Sequence, residues 1–352
     1  MDLFDYELPA DRIAQRPQPR GSSRLLVLDR STGNVSHHRF ADFADLLEPG
    51  DLIVRNDVRV RHARLYGRDS ENRLVELFLL EPLQGDGDGD GGARRWSALA
   101  KPGRRAKAGR TISLPAGLQA TVARVHPDGK RDLLFDRPVE AALLEEIGHV
   151  PLPPYIRRQP GAPDATEDRE AYQTIFAREP QAVAAPTAGL HFSPEILGRV
   201  AARGIRVADL TLAIGTATFA PVRVEDTAEH VIGAEDVRIP QETREEVEHA
   251  HRRRQRVVAV GTTVTRALEA AARRDPSDAS PGDLRFRTDL FITPGFEFRR
   301  VSALLTNFHL PRSSLLMLAC AFGGRERVLA AYAEAVREGY LFYSFGDAML
   351  IR

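Results

Sequence analysis

The chain changes texture near residue 60 and again near residue 150, and this limits its possible folds more than any other feature. Between those points short apolar runs follow one another with turns between: A-R-L-Y-G, L-V-E-L-F-L-L, R-W-S-A-L-A, T-I-S-L-P, L-Q-A-T-V-A-R-V and K-R-D-L-L-F-D. Many short, closely spaced strands predict a small antiparallel barrel, followed by one helix over 139–148. Outside this region strands and helices alternate. Strands are expected over 24–29, 35–40, 51–57, 206–212 and 256–261. Helices are expected near 41–47, 241–254, 263–274 and 325–338. The expected architecture is α/β: a main domain built from both ends of the chain (1–60 and 151–352), with an inserted antiparallel β-barrel domain (61–150).

A chain of 352 residues exceeds the usual size of one core, which agrees with two domains. Lys+Arg and Asp+Glu both number 49, so no strongly basic nucleic-acid coat is present, although a local basic patch is compatible with that balance. The single cysteine, Cys320, excludes an internal disulfide and reads as a small core residue in L-L-M-L-A-C-A-F. The acidic start M-D-L-F-D-Y-E-L is not a signal peptide, and no apolar run approaches a bilayer span. The expected setting is cytoplasmic. The repeat Q-G-D-G-D-G-D-G-G (84–92) copies half a calcium loop, but Ser97 stands where the closing Glu belongs, so a hairpin tip is expected.

The richest stretch chemically is V-A-A-P-T-A-G-L-H-F-S (183–193). Pro186 fixes φ and Gly189 permits positive φ, with Thr187, His191 and Phe192 beside them. Ser193 then reads as an N-cap, Pro194 as the first helical residue and Gly204 as the stop. A polar loop at a helix start suits anions and reacting groups. T-N-F-H-L-P (306–311) has the same style, with Thr306, Asn307 and His309 beside Phe308. In R-V-V-A-V-G-T-T-V-T-R (256–266) a strand, a turn at Gly261 and two threonines, Thr262 and Thr263, lead into a helix carrying Arg266. Asn56, Asp57 and Arg59 follow a buried strand, where ligands of open α/β sheets bind. Gly346 and Asp347 form a polar break between apolar flanks. The basic loop K-P-G-R-R-A-K-A-G-R supplies Lys101, Arg104, Arg105, Lys107 and Arg110, either a solvated face or a track for an RNA backbone. No serine-nucleophile elbow, His-Glu-x-x-His or Cys-x-x-Cys occurs, and no metal site is expected.

Taken in order, F-D-Y-E-L-P, G-D-L-I-V-R-N-D-V-R-V, G-H-V-P-L-P-P-Y-I-R-R, Y-Q-T-I-F-A, A-A-P-T-A-G-L-H-F, V-G-T-T-V-T-R-A-L-E, T-N-F-H-L-P and F-G-D-A-M-L-I resemble the S-adenosylmethionine:tRNA ribosyltransferase-isomerase family of queuosine biosynthesis. The resemblance runs nearly the whole length. It implies an α/β domain with an inserted barrel, S-adenosylmethionine as substrate, no separate cofactor and tRNA as partner. It also implies transfer and isomerisation of the ribosyl group onto the aminomethyl-deazaguanine wobble base, giving epoxyqueuosine with release of adenine and methionine. A sulfonium acidifies the neighbouring ribose carbon, so a base is needed; His191, His309 and Asp57 are the candidates. Asn56, Thr187, Gly189, Phe192, Gly261, Thr262, Thr263, Thr306, Asn307 and Asp347 would line the substrate. Arg59 and Arg266 could pair with the methionine carboxylate or a tRNA phosphate. The basic loop would contact tRNA.

The chain departs from the family pattern at T-L-A-I-G-T-A-T-F (211–219), with Ala213 for a histidine and Ala217 for a glycine, and at E-H-V-I-G-A-E (229–235), with Gly233 for a second histidine. With those imidazoles missing, His191 would carry more of any proton transfer. A paralogue using the same donor on another acceptor, and a non-catalytic binder of S-adenosylmethionine or RNA, are the alternatives.

Overall fold

The computed structural model describes residues 2–83, 93–215, 233–274 and 282–352. The Gln84–Gly92 repeat and Ala217 lie outside the described residues. In chain order the strands are β1 (Arg24–Leu28), β2 (Val35–Arg39), β3 (Leu52–Asn56), β4 (Val58–Val60), β5 (Arg64–Arg68), β6 (Leu74–Pro82), β7 (Ala93–Lys101), β8 (Thr111–Ser113), β9 (Gln119–Val125), β10 (Arg131–Val139), β11 (Glu179–Ala182), β12 (Arg206–Leu212), β13 (Glu235–Ile239), β14 (Val257–Val260), β15 (Leu284–Thr288), β16 (Ala303–Asn307) and β17 (Ala348–Ile351). The α-helices are α1 (Ala141–Ile147), α2 (Thr166–Ala171), α3 (Pro194–Ala202), α4 (Gln241–Arg252), α5 (Thr262–Ala271), α6 (Ser314–Gly323) and α7 (Arg325–Arg337).

The chain divides into two compact units. Unit 1 comprises residues 1–59, 171–179 and 185–352, and unit 2 comprises 60–170 and 180–184. Unit 2 holds the closed barrel, whose strands follow the order β10-β7-β6-β5-β8-β9 and pair antiparallel. Its strands alternate inward and outward, so Leu65, Val75, Leu77, Ala98, Val122, Leu133 and Phe135 fill an apolar interior. The expected helix over 139–148 is shorter, because β10 runs on to Val139 before α1 begins.

Unit 1 carries a nine-stranded sheet in the order β15-β13-β12-β3-β14-β16-β17-β1-β2. The central strands β12, β3, β14 and β16 are parallel. β3, β14 and β16 are buried at every position, which explains the apolar runs at 52–54, 257–260 and 303–305. β17 runs antiparallel to β16 and parallel to β1. The carboxyl ends of the central strands and the amino ends of β1 and β17 therefore meet at one edge of the sheet. That edge carries Asn56, Leu212, Gly261, Asn307, Asp347 and Ser23.

Local signals set most element ends. Ser193 Oγ accepts from Ile196 N at 3.3 Å, Pro194 opens α3, and Gly204 follows its end with φ +69°. The expected helix near 41–47 is a 3₁₀ segment, Phe40–Leu46. The apolar run containing Cys320 proves to be α6, capped by Ser313, whose Oγ accepts from Leu316 N at 3.2 Å. Cys320 is buried, and burial pushes its thiol up to about 12. Among the described residues no helix is long and apolar enough to cross a membrane.

Candidate active site

The P-T-A-G-L-H turn forms a short 3₁₀ segment, Thr187–His191, on the core side of the sheet. The reason for Gly189 differs from the sequence expectation: its φ is not positive. A Cβ there would sit 2.8 Å from both Phe176 Cζ and Thr174 Cγ2, so glycine is required for space. Phe192 is fully buried, edge-on to Phe40 and Phe43, and serves the core. Thr187 is half-buried. The turn lies beside Gly261, whose φ of +94° does require glycine. A Cβ added at Gly261 would lie 3.7 Å from Ala188 Cβ.

His191 is buried at this edge, stacked on Phe40 with ring centroids 5.0 Å apart. Its Nδ1 lies 2.8 Å from Ser23 Oγ, and its Nε2 lies 3.1 Å from Asn307 Nδ2. Asn307 Nδ2 also donates to Tyr343 O at 3.0 Å, while its buried Oδ1 has no hydrogen-bond partner. Burial, reinforced by the Arg20 guanidinium, lowers the His191 imidazole to about 4. Arg20 itself binds the turn, donating to Leu190 O at 2.9 Å and Gln173 O at 2.6 Å. His191, Ser23, Arg20, Gln18, Phe345 and Gly346 line a small cleft.

His309 is placed differently. Successive residues of a strand point to opposite faces. Ala303 and Leu305 of β16 belong to the core cluster of Phe40, Phe43 and Phe192, and Asn307 shares their face. Thr306 faces the other way, and its Oγ1 lies 2.8 Å from His309 Nε2. His309 N donates to Tyr332 OH at 3.1 Å, its carbonyl accepts from Tyr6 OH, and Phe308 packs edge-on against Tyr332. Burial holds this imidazole down at about 3. The two histidines thus bond to neighbouring β16 residues of opposite orientation.

The remaining expected residues divide into braces and open groups. Asn56 is spent on backbone: Oδ1 accepts from Leu212 N at 3.0 Å and Val58 N at 3.2 Å, and Nδ2 donates to Leu212 O at 3.0 Å. Asp347 is likewise a brace, accepting from Arg24 N at 2.7 Å and Leu341 N at 2.8 Å. Asp57 is buried and accepts from Thr211 Oγ1 at 2.7 Å. Thr262 and Thr263 are buried in the first turn of α5, whose leading N–H groups have no partner within the helix. Arg266 is not a waiting cation. Its Nη1 pairs with Glu235 Oε2 at 2.5 Å and its Nε donates to Leu290 O at 2.9 Å, both partners far away in sequence. Its buried Nη2 has no hydrogen-bond partner.

Of the two described departures, Ala213 is half-buried with its N–H on Asp236 O at 3.0 Å, and Gly233 is exposed. In unit 1 Arg59 is exposed. In unit 2 Lys101, Arg104, Lys107 and Arg110 are exposed, while Arg105 is half-buried and donates to Leu74 O at 2.8 Å. Ser23, Arg20 and Glu235 were not expected at the site from sequence. Ser23 carried only a weak signal, a Gly-Ser-Ser turn opening a strand. Among the described residues no group of three or more His, Cys, Asp or Glu could hold a metal ion.

A mixed sheet with polar turns gathered at one edge, together with a closed six-stranded barrel, defines the class: an α/β protein carrying an inserted β-barrel. The family model described as "Queuosine biosynthesis protein" matches residues 1–351. A relative from Anaeromyxobacter sp. (strain K) is 48% identical over 351 residues, covering 99% of this chain and 98% of its own. One from Thermotoga maritima is 44% identical over 349 residues, with 99% and 98% covered. Both are called S-adenosylmethionine:tRNA ribosyltransferase-isomerase. The crystal structure of S-adenosylmethionine tRNA ribosyltransferase from Thermotoga maritima matches with a TM-score of 0.55 at 37% identity, covering 99% of this chain and 100% of that one. The chain belongs to this family of S-adenosylmethionine:tRNA ribosyltransferase-isomerases, the tRNA-modifying transferases of queuosine biosynthesis.

Proposed function

We propose that the chain moves the ribosyl group of S-adenosylmethionine onto the 7-aminomethyl-7-deazaguanine wobble base of tRNA, with isomerisation to epoxyqueuosine and release of adenine and methionine. The observation that carries this is the meeting of P-T-A-G-L-H, V-G-T-T and T-N-F-H at one edge of the unit 1 sheet, with His191 held between Ser23 and Asn307. Neutral imidazole is the form that can accept a proton, and burial keeps His191 neutral at pH 7.

In this reading His191 takes the proton that the sulfonium acidifies, and Asp57 is the second candidate. His309 supports the fold on the other face of β16. Thr187, Thr262 and Thr263 remain candidates for holding ribose and methionyl ends, while Thr306 faces away from His191 and bonds to His309. The methionine carboxylate is assigned to the first turn of α5, where backbone N–H groups and the helix dipole favour an anion. Arg266 is left out of that role because Glu235 already neutralises it. The basic loop 101–110 and Arg59 are proposed tRNA phosphate contacts, and the cytoplasm, where tRNA is modified, is the proposed location. Neither a metal nor a separate cofactor enters the scheme.

The test is adenine release from S-adenosylmethionine with and without precursor-bearing tRNA. Release that depends on this tRNA is expected. Release without tRNA would point to another acceptor, and binding without release to a non-catalytic protein; either result would overturn the proposal.

A further inference from the structure

The hydrogen bonds around His191 form a chain whose directions are all fixed by its far end. Tyr343 O is a carbonyl and can only accept, so the Asn307 atom facing it at 3.0 Å is the amide nitrogen. That nitrogen has a second hydrogen, and it faces His191 Nε2 at 3.1 Å. Nε2 therefore carries the lone pair. A neutral imidazole then bears its proton on Nδ1, and the partner there is Ser23 Oγ at 2.8 Å. The serine is itself fixed: it is 2% exposed, it immediately precedes β1, and its carbonyl accepts from Phe40 N at 2.9 Å. The ring cannot readily turn away from this arrangement, since it is stacked on Phe40.

We propose that Ser23 is a positioning residue for His191: its hydroxyl accepts from Nδ1–H, the tautomer that Asn307 sets, and so fixes the plane of the ring with Nε2 as the nitrogen presented for proton transfer. The inference rests on the reading of His191 as the proton acceptor. It also gives Asn307 a definite part. Its amide caps Nε2 and must yield that position when the imidazole takes a proton, because an N–H facing an N–H cannot bond. The step balances within the proposed reaction: the ribose carbon loses a proton, its electron pair remains on carbon beside the sulfonium, and Nε2 gains the proton.

The experiment combines two readouts on the full chain. The first is ¹⁵N NMR of protein labelled at histidine, with the His191 signals assigned by their loss in His191→Gln. Wild type is expected to show a protonated Nδ1 and an unprotonated Nε2. Ser23→Ala should keep this tautomer, which Asn307 sets, but shift the Nδ1 signal by loss of its hydrogen bond, and Ser23→Thr, which keeps the hydroxyl, should restore the wild-type pattern. The second readout is kinetic. Positioned proton transfer contributes about 10²–10⁴-fold, so Ser23→Ala should lower kcat at least roughly tenfold, with KM for S-adenosylmethionine within about threefold of wild type. Ser23→Thr should recover most of kcat. A wild-type Nε2–H tautomer, or an Nδ1 signal and kcat unchanged in Ser23→Ala, overturns the proposal. If the Nδ1 signal shifts as expected but His191→Gln turns over normally, the reading of His191 as proton acceptor is what fails, and the positioning role fails with it.

Discussion

The loops that carry His191 and His309 read almost alike in sequence, yet the fold gives them opposite surroundings. Each offers a threonine, a phenylalanine and a histidine within a few residues, with a proline close by. His191 ends in a polar clamp between Ser23 and Asn307 and lines a cleft. His309 ends among Tyr6, Tyr332 and Phe308, with its Nε2 tied to the adjacent strand by Thr306. Residue type nominates a catalytic group, while the neighbours of each ring nitrogen decide which nominee can react.

Four experiments bear on this contrast. The largest effect is expected from His191→Ala, which should lower kcat for adenine release by about 10²–10⁴-fold while the protein still unfolds cooperatively in urea. His309→Ala should do the reverse. It leaves a cavity among aromatic rings and an unpaired Thr306 hydroxyl, costing roughly 2–4 kcal/mol, with kcat per folded molecule changed less than about tenfold. Equal kcat losses in the two variants at full folding would erase the distinction.

Gly189→Ala tests the packing beneath the His191 turn. The added Cβ meets Phe176 and Thr174 at 2.8 Å, so overpacking of about 1–3 kcal/mol is expected, read as a lower urea midpoint. A neutral result would show that the turn can move aside.

The smallest effect is acid sensitivity. Both imidazoles have folded values, about 4 and about 3, below the unfolded value near 6.5. Between those limits the unfolded chain binds more protons. The stability these residues contribute is therefore fully present above pH 6.5 and is lost as pH falls toward about 4 for His191 and about 3 for His309. From pH 6.5 to 5 the loss is about 1–2 kcal/mol per imidazole. Comparing urea midpoints of wild type and His191→Gln at pH 7.5 and 5 isolates one ring; identical pH slopes would show that His191 is not held neutral by the fold.

Much of the fold was legible because its signals are local. Ser193, Pro194 and Gly204 mark α3 by capping chemistry that acts within a few residues. The strands of unit 2 declared themselves as short apolar runs, closely spaced, with turns between them. The apolar run around Cys320 gave no element, because an unbroken apolar segment has no period to read; burial against neighbours and the Ser313 cap made it α6. The candidate site was legible as a set of turns but not as a set of roles. Asn56 and Asp347 look like ligands in sequence, and the fold spends them on backbone N–H and C=O groups. Arg266 looks like a free cation, and Glu235, 31 residues away, neutralises it. Gly189 suggested a left-handed turn, and what it provides is room.

By itself, then, the sequence determined many of the strands and helices, the barrel and the family, and it nominated a short list of reactive groups, all carried by local texture, caps and ordered motifs. Tertiary structure decided which of those groups are equivalent. Thr306 and Asn307 are neighbours in the chain, but the pleat turns them to opposite faces, so each histidine meets a different partner and a different environment. Whether a buried polar group braces the fold or stays open for chemistry depends on partners far away in the chain, and only the folded nine-stranded sheet brings those partners into contact.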